Sequence, residues 1–216
     1  MFTEVIDFLA ELKQNNHKNW FDQNRVSYKS LNEEFKYFVG EIIEGLGEFD
    51  PALKFLQPNE CTYRINRDTR FSQDKSPYKT WLAAAFSPQT KNGDQPGYYF
   101  QVDSNGVIRI GGGWYQIDKD HLLVIRQNLA EEAKELRKIL NEAKFVNTFQ
   151  QLEGEQLKTA PKGFPKDSPN IDLLKYKNFV VSKNLAVSNM AEQSVKMSIL
   201  ETFRTMSPLV LYLRKF

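Results

Sequence analysis

The spacing of apolar residues changes from a helical to a strand period near the middle of the chain, and this change constrains the fold more than any other feature. Residues 97–114, GYYFQVDSNGVIRIGGGW, predict a β-hairpin in which two apolar segments flank the turn signal SNG. Residues 3–14 and about 20–45 instead place apolar side chains three or four positions apart, as amphipathic helices do. The centre of the chain is therefore expected to form an antiparallel sheet.

The remaining patterns complete this outline. Further strands are predicted at 61–66, 80–86 and 178–187, and further helices at 118–144, at 168–176 and over the C-terminal 27 residues, with an interruption near Pro208. Helices on both sides of a β-rich centre predict an α+β protein with a mostly antiparallel central sheet flanked by N-terminal and C-terminal helices. We expect a single domain over residues 1–216, because the segments 88–96 and 153–167 are too short for interdomain linkers.

Charge and cysteine content exclude several classes of protein. Twenty-nine basic and 27 acidic residues give a net charge of +2, so the chain has no general positive field that attracts nucleic acid. The single cysteine, Cys61, and the two histidines, His17 and His121, provide neither an intrachain disulfide nor a zinc cluster. No metal or cofactor is predicted, and Cys61 is expected to be a buried structural thiol.

The N-terminal sequence also limits where the protein resides. MFTEVIDFLAELKQNN has no basic region, acidic residues interrupt its apolar positions, and no stretch of the chain approaches 18 apolar residues. These features predict neither a signal peptide nor a transmembrane helix. We therefore expect a cytoplasmic protein without a membrane partner; the sequence does not indicate its oligomeric state.

Residues 64–79, RINRDTRFSQDKSPYK, concentrate the charge of the chain. Five basic and two acidic side chains give this stretch a balance of +3, which exceeds that of the whole protein. If a strand persisted to about residue 70, Arg64, Asp68 and Arg70 would share one face, and Asp68 would orient an arginine. Guanidinium groups recognise carboxylates and phosphates bidentately, so we predict a site for an anionic small molecule. The residues assigned to this site are Arg64, Arg67, Asp68, Arg70, Ser72, Lys75, Tyr78 and Lys79.

Two other interpretations of residues 64–79 remain open. In an enzyme, the same cations would stabilise negative charge during phosphoryl or acyl transfer, while Asp68 or Tyr78 moved protons. In a purely structural loop, arginine–aspartate pairs would fix the turn. Nucleic acid is a less favoured partner, because it requires aromatic platforms beside the cations, for which only Phe71 and Tyr78 are candidates and Phe71 equally suits the core.

The loop resembles the signature of a bacterial family of conserved hypothetical proteins, R-x-x-R-D-x-R-F-x-x-x-K-x-P-Y-K. Its fixed positions are Arg64, Arg67, Asp68, Arg70, Phe71, Lys75, Pro77, Tyr78 and Lys79. The N-terminal L-x-x-N-N-x-x-x-W-F segment, the sequence GGGW at 111–114 and LKTAPKGF at 157–164 are similar to further landmarks of that family. The resemblance implies a family without an established activity.

Two smaller motifs have a structural and a functional interpretation. Asn15, Asn16 and His17 lie between predicted helices, where turn and capping chemistry is favoured over contact with a ligand. The glycines of GGGW lack the spacing of a phosphate-binding P-loop. Close backbone approach at a strand end is the favoured reason for them.

Overall fold

The computed structural model describes residues 1–89, 93–187 and 190–216. Its helices are α1 (Phe2–Gln14), α2 (Lys18–Gln23), α3 (Arg25–Gly47), α4 (Pro58–Cys61), α5 (Lys119–Glu131), α6 (Lys134–Leu140), α7 (Ala143–Phe149), α8 (Ile171–Leu174) and α9 (Glu192–Leu213), with a 3₁₀ turn at Pro51–Leu53. Its strands are β1 (Trp81–Phe86), β2 (Gly97–Asp103), β3 (Val107–Trp114) and β4 (Phe179–Ala186).

The strands form one sheet in the order β1-β2-β3-β4, and every neighbouring pair is antiparallel. The predicted hairpin forms between β2 and β3, where Gly106 takes the positive φ of 75° that the SNG turn requires. Helices from both ends of the chain flank the sheet. The predicted α+β class with a central antiparallel sheet is therefore confirmed.

One face of the sheet is buried beneath α3 and α9. The ring of Phe100 in β2 lies 5.6 Å from that of Phe35 and 5.9 Å from that of Phe38, both of which belong to α3. Phe86 in β1 contacts Phe203 of α9, with ring centroids 6.0 Å apart. These fully buried rings explain why the outer helices are amphipathic, since each must cover an apolar sheet surface.

The opposite face of the sheet is only partly covered. Because side chains alternate along a strand, Trp81 of β1 and Tyr99 and Gln101 of β2 point away from the face that holds Phe100. These three residues are partly exposed, and Arg109 of β3, which pairs with Gln101, is exposed. This second face carries aromatic and polar side chains rather than an apolar core.

The GGGW glycines allow neighbouring elements to approach the backbone of β3. A Cβ atom at Gly112 would lie 2.4 Å from the Sδ atom of Met206 in α9, and one at Gly111 would lie 3.1 Å from the Val181 carbonyl oxygen. Gly113 combines such crowding with a φ of +119°. The favoured interpretation of this motif, close backbone approach at a strand end, is confirmed.

Two predicted helices are in fact divided. The pattern at 20–45 is divided at Asn24, whose side-chain amide donates to the Trp20 carbonyl at 2.9 Å and so ends α2. The pattern at 118–144 is divided twice: the Glu132 carboxylate accepts from the Lys134 N–H at 2.9 Å where α6 begins, and α6 ends at Leu140 before α7 begins at Ala143. A periodic apolar pattern does not show such breaks, because the buried stripe continues across them.

Three further local predictions are wrong or shifted. Residues 61–66 do not form a strand: Cys61 ends α4, and the following residues make isolated bridges. The short helix expected at 168–176 is confined to α8. Helix α9 continues through Pro208, because the Ser207 hydroxyl donates at 2.9 Å to the Arg204 carbonyl, which the missing proline N–H would otherwise have served.

Cys61 is buried, as expected. No helix in the described part of the chain has the length and apolar character needed to cross a bilayer. Within the segment 88–96, residues 90–92 lie outside the described residues.

Candidate functional site

Residues 62–84 form an irregular hairpin that places the charged sequence at its tip. Asn66 forms an antiparallel bridge with Tyr78, and the Arg67 N–H donates to the Pro77 carbonyl at 2.9 Å. These contacts close the two arms, so that residues 68–76 lie at the end of the hairpin. The strand that was expected to reach residue 70 is therefore replaced by isolated bridges, and its face of alternating charges does not form.

The second arm of the hairpin is attached to the N-terminal helices through Asn16. Its side-chain amide donates to the Tyr78 carbonyl at 2.9 Å, and its Oδ1 accepts from the Tyr78 N–H at 3.0 Å. The Tyr78 ring stacks on Phe21 with centroids 4.0 Å apart. His17 caps α2 by accepting from the Trp20 N–H. Capping chemistry therefore accounts for His17, whereas Asn16 makes a long-range contact with the hairpin that the sequence did not indicate.

Asp68 and Arg70 form a bidentate ion pair at the tip. Arg70 donates from Nε to Oδ1 at 3.0 Å and from Nη2 to Oδ2 at 2.6 Å, which fixes the guanidinium as the sequence predicted. These hydrogen bonds, together with the charge of Arg64, lower the pKa of Asp68 to about 2. Asp68 is therefore ionised at neutral pH.

Arg67 and Asp74 form a second ion pair, which braces the two sides of the tip. Arg67 Nη1 donates to Asp74 Oδ2 and, at 3.2 Å, to the Ser76 carbonyl. Asp74 Oδ1 also accepts from the Ser76 hydroxyl at 2.6 Å and from the Ser76 N–H at 2.9 Å. These hydrogen bonds lower the pKa of Asp74 to about 2. The bond from the Ser76 hydroxyl is the main cause, and the bond from Arg67 is a further one. For these residues the structural interpretation of the loop is supported.

A cleft of about 550 Å³ separates the hairpin from the end of α1. It is lined by Lys13, Asn16, Arg67, Asp68, Asp74, Ser76, Tyr78, Lys79, Thr80 and Trp81. Four of the predicted site residues border it: Arg67, Asp68, Tyr78 and Lys79. The other four, Arg64, Arg70, Ser72 and Lys75, are not part of its lining.

Six lining residues were absent from the predicted set: Lys13, Asn16, Asp74, Ser76, Thr80 and Trp81. The Asn15–Asn16 dipeptide drew attention to Asn16, but the sequence favoured a role in a turn over contact with a ligand. Lys13 has no local signal, since a lysine in the last turn of a helix is ordinary. Only the packing of α1 beside the hairpin brings it to the cleft.

Lys79 is held in a defined position on the cleft wall. Its Nζ donates to the Arg64 carbonyl at 2.6 Å. The same atom lies 4.8 Å from the ring centre of Trp81 and 5.6 Å from that of Tyr63. Both distances are within the range of cation–π attraction, so the ammonium group is positioned before any ligand arrives.

The aromatic candidates for nucleic-acid contact behave differently from one another. Phe71 is 95% exposed at the hairpin tip, with the Arg70 guanidinium 5.8 Å from its ring centre, so it does not belong to the core. Tyr78 is buried against Phe21. In the ranges 1–89, 93–187 and 190–216, no cluster of three or more His, Cys, Asp or Glu side chains could hold a metal ion.

We expect the carboxyl of Asp68 to titrate near pH 2 in the folded protein, and Arg70→Gln to move this pKa toward the ordinary value of 3.8. Because the folded pKa is lowered, the stabilisation from ionised Asp68 is present above about pH 4 and is lost as the pH falls through about 2. Carbon-detected NMR titration of the aspartate carboxyls measures both midpoints. An unchanged midpoint in Arg70→Gln would contradict the assigned cause; Asp118, held by His121, serves as an internal reference.

The geometry defines an α+β protein with a cationic cleft between its N-terminal helix and a charged hairpin. Residues 4–212 match the model of the family described as "Conserved hypothetical protein (DUF2461)", and the chain belongs to that family. The domain that defines the family is of unknown function. No curated protein and no solved structure matches the chain.

Proposed function

We propose that the cleft binds a small molecule that carries a phosphate or carboxylate group. The observation that supports this most directly is the meeting of three cations from distant parts of the sequence at one cleft: Lys13 from α1, and Arg67 and Lys79 from the hairpin. Its volume of about 550 Å³ lies within the range of about 300–1,000 Å³ that is common for ligand pockets.

The charge around the cleft favours an anion. Asp68 and Asp74 also border it; Asp68 is paired with Arg70, which lies outside the lining, and Asp74 with Arg67, which lies within it. The three lining cations and these two carboxylates leave the cleft itself with a balance of +1. Residues 64–79 still have a balance of +3, and Lys13 adds a further positive charge, whereas the whole chain has only +2. Positive potential is therefore concentrated at this place.

Two of the three cations, Arg67 and Lys79, also meet a requirement for tight binding, since their positions are fixed in advance. Arg67 is braced by Asp74, and Lys79 by the Arg64 carbonyl and two aromatic rings. Fixed donors lose less conformational entropy when a ligand binds. Ser76 and Thr80, which carry hydroxyl groups, also border the cleft.

Binding is favoured over proton-transfer catalysis by the state of the two carboxylates. With pKa values of about 2, Asp68 and Asp74 hold no proton to donate at neutral pH and are weak bases. Tyr78, the other candidate, is packed against Phe21.

A chain whose single cysteine is buried fits a reducing compartment, which supports a cytoplasmic location for this binding protein.

We expect pyrophosphate to bind the wild-type protein and Lys13→Met to weaken this binding about tenfold, because a hydrogen bond to a charged group contributes about 1.5–3 kcal/mol. Lys13 is suited to this test, since its exposed Nζ forms a long hydrogen bond of 3.5 Å to Asn105 Oδ1 and its loss should cost little stability. Isothermal titration calorimetry at low and high salt measures the affinity, which should fall as the salt concentration rises.

Lys29→Met, on an exposed position of α3, is the matched control and should leave the affinity unchanged. The proposal fails if pyrophosphate, phosphate and citrate give neither heat nor a rise in Tm with the wild-type protein. It also fails if the two lysine variants lose affinity equally, since that result would indicate a general charge effect rather than a site.

A further inference from the structure

Three aromatic rings extend from the cleft across the partly exposed face of the sheet. Trp81 borders the cleft, and its ring centroid lies 6.1 Å from that of Tyr63 at an interplanar angle of 75°. Tyr63 in turn lies 6.2 Å from Tyr99 at 70°. All three rings are partly exposed. They form a continuous aromatic row beside the cations of the proposed anion site.

The strand register explains why this row is not covered by the core. Trp81, Ala83 and Ala85 of β1 point to the face opposite Phe86, and Tyr99 pairs directly with Ala85. The small alanine side chains leave room for the rings that flank them. Helices α3 and α9 pack on the other face, so these rings do not belong to the core beneath those helices.

Polar groups lie next to the rings. The Tyr99 hydroxyl donates to Gln101 Oε1 at 2.6 Å. Arg109, on the adjacent strand, donates to the Ser182 hydroxyl at 3.2 Å and to Glu153 at 3.3 Å. Amide, hydroxyl and guanidinium groups beside an aromatic surface are suited to hydrogen bonds with the edge of a heterocyclic ring.

Lys79 connects the two halves of this surface. Its ammonium group borders the cleft and lies above the rings of both Trp81 and Tyr63. An anion that contacts Lys79 is therefore held directly beside aromatic rings. A ligand that contacts both the cations of the cleft and the aromatic row must have a negative group and a flat ring within a few ångströms of each other.

We propose that the ligand of the cleft is a nucleotide-sized molecule, whose phosphate contacts Lys13 and Arg67 and whose base packs against Trp81 and Tyr63. This inference rests on the proposed anion site and adds a binding surface for the base of the ligand. A free nucleotide is favoured over a nucleic-acid strand for two reasons. The cleft has the volume of a small-molecule site, and the chain's net charge of +2 provides no long cationic track.

The test compares two ligands that share a phosphate and differ in the ring. Adenosine 5′-monophosphate should bind the wild-type protein about tenfold more tightly than ribose 5-phosphate, because stacking of a base on an aromatic side chain contributes roughly this factor or more. Trp81→Leu should remove the difference, because it lowers the affinity for adenosine 5′-monophosphate about tenfold more than the affinity for ribose 5-phosphate. Tyr37→Leu, which removes a 72% exposed ring from α3, is the control and should preserve it.

The outcomes separate this inference from the proposed function. Equal affinity for the two ligands would overturn the nucleotide inference and leave the anion site standing. Absence of binding by either ligand, and by pyrophosphate, would overturn both. A single-stranded oligonucleotide that bound far more tightly than the mononucleotide would overturn the choice of a small molecule. An equal loss of affinity for both ligands in Trp81→Leu would show that the indole supports the cleft and does not bind the base.

Discussion

Asp50→Ala will lower the free energy of unfolding by about 3–5 kcal/mol, because it leaves a largely buried arginine charge without its partner. Asp50 is 1% exposed, and its Oδ1 accepts from Arg214 Nη1 at 2.7 Å. Its Oδ2 accepts from the Tyr98 hydroxyl at 3.0 Å. Burial and the neighbouring carboxylate both raise the pKa of Tyr98. The alanine variant removes both acceptors at once.

The position of Asp50 explains why its loss should destabilise the whole fold and not one segment alone. The residue follows the end of α3, Tyr98 belongs to β2, and Arg214 follows α9, so one carboxylate joins three separate segments. Arg214 Nε also donates to the Pro96 carbonyl at 3.3 Å, which ties the C-terminal end of the chain to the start of β2. Loss of the carboxylate therefore affects the contact between the sheet and both of its covering helices.

Urea denaturation followed by circular dichroism measures the effect, and Glu48→Ala is the matched control. Glu48, only two residues before Asp50, forms an exposed ion pair with Arg204. The loss of this ion pair should lower the free energy of unfolding by less than about 1 kcal/mol. Asp50→Asn, which keeps an oxygen acceptor but no charge, should fall between the two. Similar losses in Asp50→Ala and Glu48→Ala would contradict the assignment.

The sheet was predictable because its signals are local. Alternating apolar residues and the SNG turn lie within 97–114, so the pairing of β2 with β3 in a hairpin follows from neighbouring residues. The two segments that become β1 and β4 are also recognisable by composition, at 80–86 and 178–187. The breaks at Asn24 and Glu132 were not predictable from periodicity, because single hydrogen bonds between a polar side chain and the backbone accompany them.

The cleft was predictable only in part, since it depends on contacts across large sequence separations. The charged loop at 64–79 marked one wall, and Arg67 and Lys79 lie there. Lys13 and Trp81 reach the same cleft from α1 and β1, which no local pattern indicates. The sequence placed Arg64 and Arg70 on a common face of a strand that does not form, and both lie outside the lining.

Gly113→Ala will lower the free energy of unfolding by about 2–5 kcal/mol, because strain and steric overlap add at this position. Gly113 has a φ of +119°, and an added Cβ would lie 2.0 Å from the Phe179 carbonyl oxygen in β4. The overlap involves backbone atoms of a paired strand, so relief requires β3 and β4 to separate. Thermal and urea denaturation measure the loss.

Gly163→Ala isolates the contribution of overlap. Gly163 also has a positive φ, of +89°, but an added Cβ there would meet nothing within 4 Å. Its substitution should therefore cost only the conformational strain of about 1–2 kcal/mol. Equal losses in the two variants would show that β4 adapts easily. A Gly113→Ala protein that stayed stable yet lost pyrophosphate binding would instead make the glycines of GGGW part of a ligand site, against their packing role.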